Sequence, residues 1–133
     1  MDATQAFNKV DHAKLIDKLI ARGTPKYIIN LLINWFDNQL FQIAWGKTQS
    51  KKFQVLQGVR QGGILSAFLF AFYIDDMSLA LNRSGLGAKI GNRRINHTIY
   101  ADDICLITTT AQAMARLLGI CKDFADDHNL EFN

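Results

Sequence analysis

The stretch Thr98-Ile-Tyr-Ala-Asp-Asp-Ile-Cys-Leu-Ile-Thr108 places two adjacent aspartates between two short segments of strand-forming residues. Segments 98–100 and 104–108 predict strands, and Ala101-Asp102-Asp103 predicts the tight turn between them. Two carboxylates at the tip of such a hairpin repel each other unless a cation neutralises them. Mg²⁺ suits the position, because it prefers hard oxygen ligands and binds one or two carboxylates together with substrate phosphates. An ordinary polar turn explains residues 100–103 equally well.

Outward from this hairpin, helical and strand patterns interleave along the chain. Asp11 predicts the N-cap of a first helix, which Gly23 ends. Thr24 and Pro25 predict the cap and the first turn of a second helix. The remaining predicted elements are a hairpin of 40–45 with 51–57, a helix over 65–82, a strand pair of 88–90 with 93–95, and a helix over 111–128. This order predicts an α+β fold of the split-βαβ kind, an antiparallel sheet with helices on one face.

Length and composition narrow the function classes. The 133 residues, 49% hydrophobic and 20% charged, fit one globular domain rather than a disordered chain. No uncharged apolar run reaches the ~18 residues that a membrane span needs, and the N-terminus lacks the layout of a secretion signal. Two cysteines predict neither a disulfide framework nor a zinc site. We therefore expect an intracellular protein without membrane contact, and the net charge of +3 permits a polyanionic partner.

Asp2 is a second candidate for metal chemistry. It precedes Ala6 and Phe7, where a strand end would pass into a helix. Two-metal phosphoryl transfer needs carboxylates from separate chain elements, which hold ions ~3.5–4 Å apart. Taken alone, Asp2 is also explained as a polar residue near a terminus.

The third candidate is the loop Gly58-Val-Arg-Gln-Gly-Gly63, which precedes a long apolar helix. Paired glycines let a backbone approach a ligand closely, and Arg60 and Gln61 can donate hydrogen bonds to bases or phosphates. A simple loop-to-helix connection with Ser66 as the cap is the alternative interpretation.

Taken jointly, these motifs resemble the palm of a reverse transcriptase of the non-LTR (LINE-type) retrotransposon group. Residues 1–12 resemble that family's first catalytic motif, although Asn8 stands where Asp is usual. Residues 58–66 resemble its second motif, with 70–76 as the helix that follows and Ala67 where proline is common. Residues 100–103 resemble the signature hairpin, and 119–133 the segment leading into the fourth palm motif. The resemblance spans practically the whole chain.

The resemblance implies the catalytic roles. Asp2 and Asp102 would be the ligands of two Mg²⁺ ions, with Asp103 assisting and Mn²⁺ as a substitute metal. The implied reaction is attack of a primer 3′-hydroxyl on the α-phosphate of a deoxynucleotide, copied from an RNA template.

The resemblance also implies binding roles. Phe7 would be the aromatic gate beneath the incoming sugar, where bulk excludes a 2′-hydroxyl. Gln61 and Gly62 would contact the nucleotide or template strand, with Arg60 beside them. Tyr100 would pack near the primer end.

By the same resemblance, residues 1–133 are one palm domain, truncated at both ends. The implied partners are an RNA template, a DNA primer, deoxynucleoside triphosphates and the fingers and thumb of the polymerase, with an endonuclease domain left open. The implied compartment is the nucleus or cytoplasm. Because the finger residues and thumb lie outside this sequence, we expect the isolated chain to polymerise poorly or not at all.

Three alternatives stay open at this point. The chain could be an inactive, decayed retroelement copy or a non-catalytic nucleic-acid-binding module that keeps the palm shape. It could belong to another palm polymerase, such as a group II intron reverse transcriptase or an RNA-dependent RNA polymerase, although Phe7 argues against the latter. An unrelated α+β domain is the third alternative.

Overall fold

The computed structural model of the chain describes residue 1 and residues 4–133. They form two compact units, one of Met1–Val10 with Val59–Asn133 and one of Asp11–Gly58. A 3₁₀ turn, Ala6–Lys9, precedes the regular elements. The helices are α1 (His12–Ala21), α2 (Lys26–Asp37), α3 (Ile64–Arg83) and α4 (Ala111–His128). The strands are β1 (Leu40–Phe41), β2 (Ala44–Trp45), β3 (Thr48–Gln49), β4 (Phe53–Gln54), β5 (Ala88–Ile90), β6 (Arg93–Ile95), β7 (His97–Tyr100) and β8 (Asp103–Leu106).

Helices α1 and α2 belong to the unit of residues 11–58. The carboxylate of Asp11 accepts a hydrogen bond from the backbone nitrogen of Lys14 at 3.1 Å, which confirms the predicted N-cap. The predicted start of α2 is wrong by one residue, because Pro25 has an extended ψ of 137° and stands at the N-cap position itself. Both helices bury one face, which contains Leu15, Leu19, Ile29, Leu32 and Phe36.

The hairpin predicted between residues 40 and 57 is present, but its ladder is interrupted. Strand β1 pairs with β4, and β2 pairs with β3 around the turn at Gly46. Between the two ladders, the hydroxyl of Ser50 accepts the backbone N–H of Ile43 at 3.0 Å and donates to the carbonyl of Lys51 at 2.8 Å. A side chain thus replaces part of the strand pairing, which is why the strands are shorter than predicted.

Helix α3 is the core helix of the other unit. It has the length and composition to cross a membrane. However, Asp75 and Asp76 break its run of uncharged residues, and the helix packs against α4. Its buried residues are Ser66, Leu69, Phe70, Tyr73, Ile74, Met77 and Leu81, spaced at helical intervals. The helix therefore contributes a core, as the sequence pattern over 65–82 predicted.

Strands β5–β8 form two antiparallel hairpins, β5 with β6 and β7 with β8. The bounds of β5, β6 and α4 match the predicted ones. The prediction for β7 and β8 is wrong at three ends, because β7 begins at His97 and β8 runs over Asp103–Leu106, so that Asp103 belongs to the strand and not to the turn. Ile104 of β8 is buried with Met77, Leu81, Leu117 and Cys121, and this cluster joins the hairpin to α3 and α4. The structure thus confirms a mixed helix and strand fold with small antiparallel sheets.

The first residues of the chain pair with two other segments. The terminal nitrogen of Met1 donates to the carbonyl of Ile104 at 3.0 Å, and the backbone nitrogen of Ile104 donates to the carbonyl of Met1 at 2.9 Å. This exchange is the pattern of an antiparallel pair. Farther along, the backbone nitrogen of Thr4 donates to the carbonyl of Glu131 at 2.8 Å. Met1 therefore lies beside β8, and Thr4 contacts the C-terminal residues.

Gly87 holds the base of the β5–β6 hairpin, and its replacement by alanine gives a direct stability test. Its φ is +129°, and a Cβ there would lie 2.5 Å from the carbonyl oxygen of Ile95. We expect Gly87→Ala to lower the free energy of unfolding by about 2 kcal/mol or more, measured by urea denaturation. Gly119 in α4 is the matched control, because a Cβ there meets nothing within 4 Å. Gly119→Ala should raise stability by about 0.5–1 kcal/mol, and equal losses in both variants would contradict the explanation.

Candidate active site

The turn between β7 and β8 carries the two predicted catalytic aspartates of the hairpin. Tyr100 pairs with Asp103 across the strands, so Ala101 and Asp102 form a two-residue connection. Ala101 has a φ of 53°, in the left-handed region that alanine adopts at a cost of about 1–2 kcal/mol. Strained backbone of this kind is concentrated at functional sites. Asp102 is half-buried and Asp103 is exposed, whereas Tyr100 is 84% exposed at the same end.

The β7–β8 hairpin is anchored in the core through one of its faces. Ile104 is 3% exposed and packs in the core, and its pairing partner Ile99 packs against the same cluster. Because successive side chains of a strand alternate between faces, Asp103 and Cys105 project from the opposite face. Met1 adds its backbone to Ile104, next to Asp103. The turn is therefore presented by a short sheet whose other face is buried.

The donor chemistry of the turn fits a divalent cation. Within residue 1 and residues 4–133, neither Asp102 nor Asp103 forms an ion pair with a basic side chain. Two uncompensated neighbouring carboxylates offer the hard oxygen ligands that Mg²⁺ prefers. Among those same residues, no three His, Cys, Asp or Glu side chains are grouped so that they could hold a metal ion. Asp2, the third predicted ligand, lies outside the described residues, so the three-carboxylate site stays a prediction.

The loop 58–63 leads from an extended segment into α3. The backbone nitrogen of Val59 donates to the carbonyl of Phe7 at 2.7 Å, which joins the loop to the 3₁₀ turn. Arg60, Gln61 and Gly62 are exposed, and Gly62 has a φ of +79°. Gly63 occupies the N-cap position of α3. The alternative interpretation of Ser66 as the cap is therefore wrong.

Phe7 lies against the core of this unit rather than free in solvent. Its ring centroid is 4.9 Å from that of Phe70, with the planes tilted by 30°. Phe70 is 1% exposed, so it provides a rigid surface for the half-buried Phe7. The contact is worth about 0.5–1.5 kcal/mol beyond area burial and fixes the ring of Phe7 in one orientation.

A polar network beneath the hairpin was not predicted from the sequence. The amide nitrogen of Asn96 donates to the carbonyl of Leu81, which leaves its oxygen free to accept from Nδ1 of His97 at 2.7 Å. Nε2 of His97 then accepts the hydroxyl proton of Ser78 at 2.8 Å. The network holds the first residue of β7 on α3, three residues before Tyr100. Helical spacing does not reveal it, because residues 78 and 97 are brought together only by the fold.

The burial of His97 makes stability depend on pH. Burial lowers the pKa of His97 from its usual value of 6.5. The unfolded chain therefore binds the proton more readily, so the free energy of unfolding falls as the pH drops through about 6.5 towards the folded pKa. We expect His97→Gln, which keeps hydrogen-bonding groups, to flatten this dependence between pH 7 and pH 5. Urea midpoints measured across that range test it, and an unchanged slope in the variant would contradict it.

Comparison with known proteins gives a family match over the whole chain. Residues 1–133 match the family described as reverse transcriptase (RNA-dependent DNA polymerase). The chain is 32% identical over its full length to the retrovirus-related Pol polyprotein from type-2 retrotransposable element R2DM of Drosophila melanogaster, of which it covers 12%. It is 32% identical over 83% of its length to a Pol polyprotein from type-1 retrotransposable element R2 of Bradysia coprophila, again covering 12%. A corresponding R2 polyprotein of Popillia japonica is 31% identical over 93% of the chain, which covers 18% of it.

Proposed function

This chain belongs to the reverse transcriptase (RNA-dependent DNA polymerase) family, and we propose that it forms the palm of a polymerase encoded by an R2-like, non-LTR retrotransposon. The R2 relatives confirm the group that the motifs predicted. Since the chain spans only about an eighth of the first of these relatives, the activity of the whole protein is part of the proposal. In the proposed reaction, a primer 3′-hydroxyl attacks the α-phosphate of a deoxynucleoside triphosphate. The new phosphodiester bond forms as the α–β bond breaks and pyrophosphate leaves.

The observation that carries the proposal is the pairing of Met1 with Ile104. The two residues exchange both backbone hydrogen bonds, and Asp103 is the immediate neighbour of Ile104. Asp2 follows Met1 directly in the sequence, and consecutive Cα atoms are about 3.8 Å apart. Covalent connection alone thus supports Asp2 as a companion of Asp102 and Asp103, which is what a shared metal site requires.

In the proposed site, Asp2 and Asp102 would hold two Mg²⁺ ions and Asp103 would assist. Asp102 lies in a turn that is anchored through Ile104, so the backbone that carries its carboxylate is held in place by the core. Bound Mg²⁺ would activate the primer hydroxyl and neutralise charge on the leaving group. What the chain itself contributes is fixed positions for the ligands, and positioning supplies much of the catalysis in phosphoryl transfer.

The nucleotide-binding side of the proposal uses the loop and the 3₁₀ turn. Exposed Arg60 and Gln61 can donate hydrogen bonds to phosphates or bases, and Gly62 allows the backbone a close approach. Phe7 is joined to this loop through the hydrogen bond from Val59, which supports its assignment as the sugar gate. Tyr100, exposed beside the catalytic turn, would pack against the primer end.

We also propose the finer arrangement of the sheet, a ferredoxin-like palm with the Asp2 segment in a central position. Met1 pairs with Ile104 of β8, and Thr4 donates to Glu131 on the other side. These contacts of Met1 and Thr4 support the proposed arrangement. Helices α3 and α4 pack against each other and share a core with the β7–β8 hairpin.

RNA-templated primer extension tests the proposed function. The protein to use is a polypeptide in which residues 1–133 are joined to the segments that flank the matching region in its R2 relatives. We expect incorporation of deoxynucleotides that requires Mg²⁺ or Mn²⁺ and stops when the metal is chelated. If that polypeptide binds the primer–template but extends nothing, the chain is a non-catalytic nucleic-acid-binding module instead.

A further inference from the structure

The β5–β6 hairpin carries three basic side chains and lies in a segment without acidic residues. Residues 77–101 contain Arg83, Lys89, Arg93 and Arg94 and no acidic residue. The net charge of the whole chain is +3, so all remaining residues together carry a net charge of −1. Lys89, Arg93 and Arg94 are exposed, and none of them forms an ion pair within the described part of the chain.

The strand register brings Lys89 and Arg94 together on one face of the hairpin, whereas Arg93 and Ile90 lie on its other face. Lys89 lies directly opposite Arg94, and Ile90 lies opposite Arg93. Like charges at directly opposed positions of an antiparallel pair are destabilising. The guanidinium of Arg94 also donates to the backbone carbonyl of Gly85, which holds the side chain beside the hairpin base. This arrangement is unfavourable in the free protein and favourable once a polyanion neutralises it.

We propose that this basic hairpin, defined by Lys89, Arg93 and Arg94, binds the sugar–phosphate backbone of a nucleic acid. Lysine and arginine side chains that neutralise phosphates release counterions, and this release supplies most of the affinity in sequence-independent binding. Ile90 is 63% exposed beside Arg93, and it offers an apolar contact for a sugar. Contacts of these side chains with phosphate oxygens carry no sequence information, so we expect binding without sequence preference.

The basic hairpin is distinct from the proposed active site. Strand β7 leads from its base at His97 to the turn at Ala101 and Asp102, and four residues of strand span about 13 Å. The hairpin therefore contacts nucleic acid away from the reacting primer end. The inference rests on the proposed function in one respect, because both assume that the partner is a nucleic acid.

Fluorescence anisotropy with the 133-residue chain and labelled 20-nucleotide RNA tests the inference. The variant is Lys89→Gln/Arg93→Gln/Arg94→Gln. The matched control is Lys47→Gln/Lys51→Gln/Lys52→Gln, which removes equal charge from exposed positions elsewhere. Measuring in EDTA without nucleotide separates this binding from catalysis, so a failure of one proposal leaves the other standing.

We expect the hairpin variant to bind about 10- to 100-fold more weakly at 0.1 M salt, with a shallower dependence of the dissociation constant on salt. The control variant should bind RNA as tightly as the unaltered chain. Equal weakening in both variants would assign the effect to net charge and overturn the proposal. The double variant Lys89→Gln/Arg93→Gln keeps the Arg94 hydrogen bond, so intact affinity in that folded variant would also overturn it.

Two further measurements identify the class of ligand that the basic hairpin binds. Single-stranded DNA of the same sequence should bind the same hairpin, since both polymers present the phosphodiester backbone. A polyaspartate peptide of equal charge is the competitor that represents an acidic protein. If the peptide displaces RNA and binds more tightly than RNA does, the surface serves an acidic protein and the nucleic-acid assignment is wrong.

Discussion

Replacing Asp102 by asparagine should lower nucleotide incorporation about 10³-fold or more in the polypeptide that carries this chain with its flanking segments. Asparagine keeps the size of the side chain and the turn, but it removes the negative charge that the proposed metal site needs. A bound metal contributes several kcal/mol of charge stabilisation, and each 1.36 kcal/mol is a factor of ten in rate. Single-turnover primer extension on an RNA template measures the effect.

Asp123 provides the control for this substitution, because it is an exposed carboxylate on α4. Asp123→Asn should incorporate nucleotides at the unaltered rate. A second readout uses the 133-residue chain itself, in which Mn²⁺ binding followed by paramagnetic resonance should weaken in Asp102→Asn and not in Asp123→Asn. Full activity and full metal binding in Asp102→Asn would show that the assignment of the polymerase site to this hairpin is wrong.

Most of the fold could be predicted from local signals. The Asp11 cap, the turn dipeptide at Gly91 and the helical spacing of α4 determine their elements almost without help from the rest of the chain. Two of the errors have a common cause. Pro25 and the Ser50 hydroxyl both replace a regular backbone contact, and the choice between these contacts depends on details that periodicity does not contain.

Less of the candidate site than of the fold could be predicted from local signals. Its residues were identified by a family resemblance rather than by spacing, since Asp102 and Asp103 alone fit an ordinary turn. Pairings between distant segments could not be predicted, such as that of Met1 with Ile104 or of Ser78 with His97. The direct opposition of Lys89 and Arg94 could not be predicted either, because it depends on the strand register. Sequence identifies the chemical groups, and tertiary packing decides which of them meet.

Shortening Phe7 should relax the choice of sugar. In the same polypeptide, we expect Phe7→Val to raise ribonucleotide incorporation relative to deoxynucleotide incorporation about 100-fold, which corresponds to about 2.7 kcal/mol of removed steric clash. The buried ring of Phe70 holds Phe7 at 4.9 Å, so the phenyl group cannot easily move aside for a 2′-hydroxyl. Valine removes the ring and keeps an apolar side chain at the position. Competition between ribo- and deoxynucleoside triphosphates in primer extension measures the ratio.

Two controls separate a gate from a loss of structure. Phe7→Tyr preserves the bulk of the ring and should keep the discrimination. Phe53→Val removes an exposed aromatic ring from β4 and should leave the ratio unchanged. Phe7→Val will also lose part of the aromatic contact with Phe70, about 1 kcal/mol of stability, but lost stability lowers both rates together and cannot change their ratio. An unchanged ratio in Phe7→Val, with deoxynucleotide incorporation intact, would show that another residue excludes the 2′-hydroxyl.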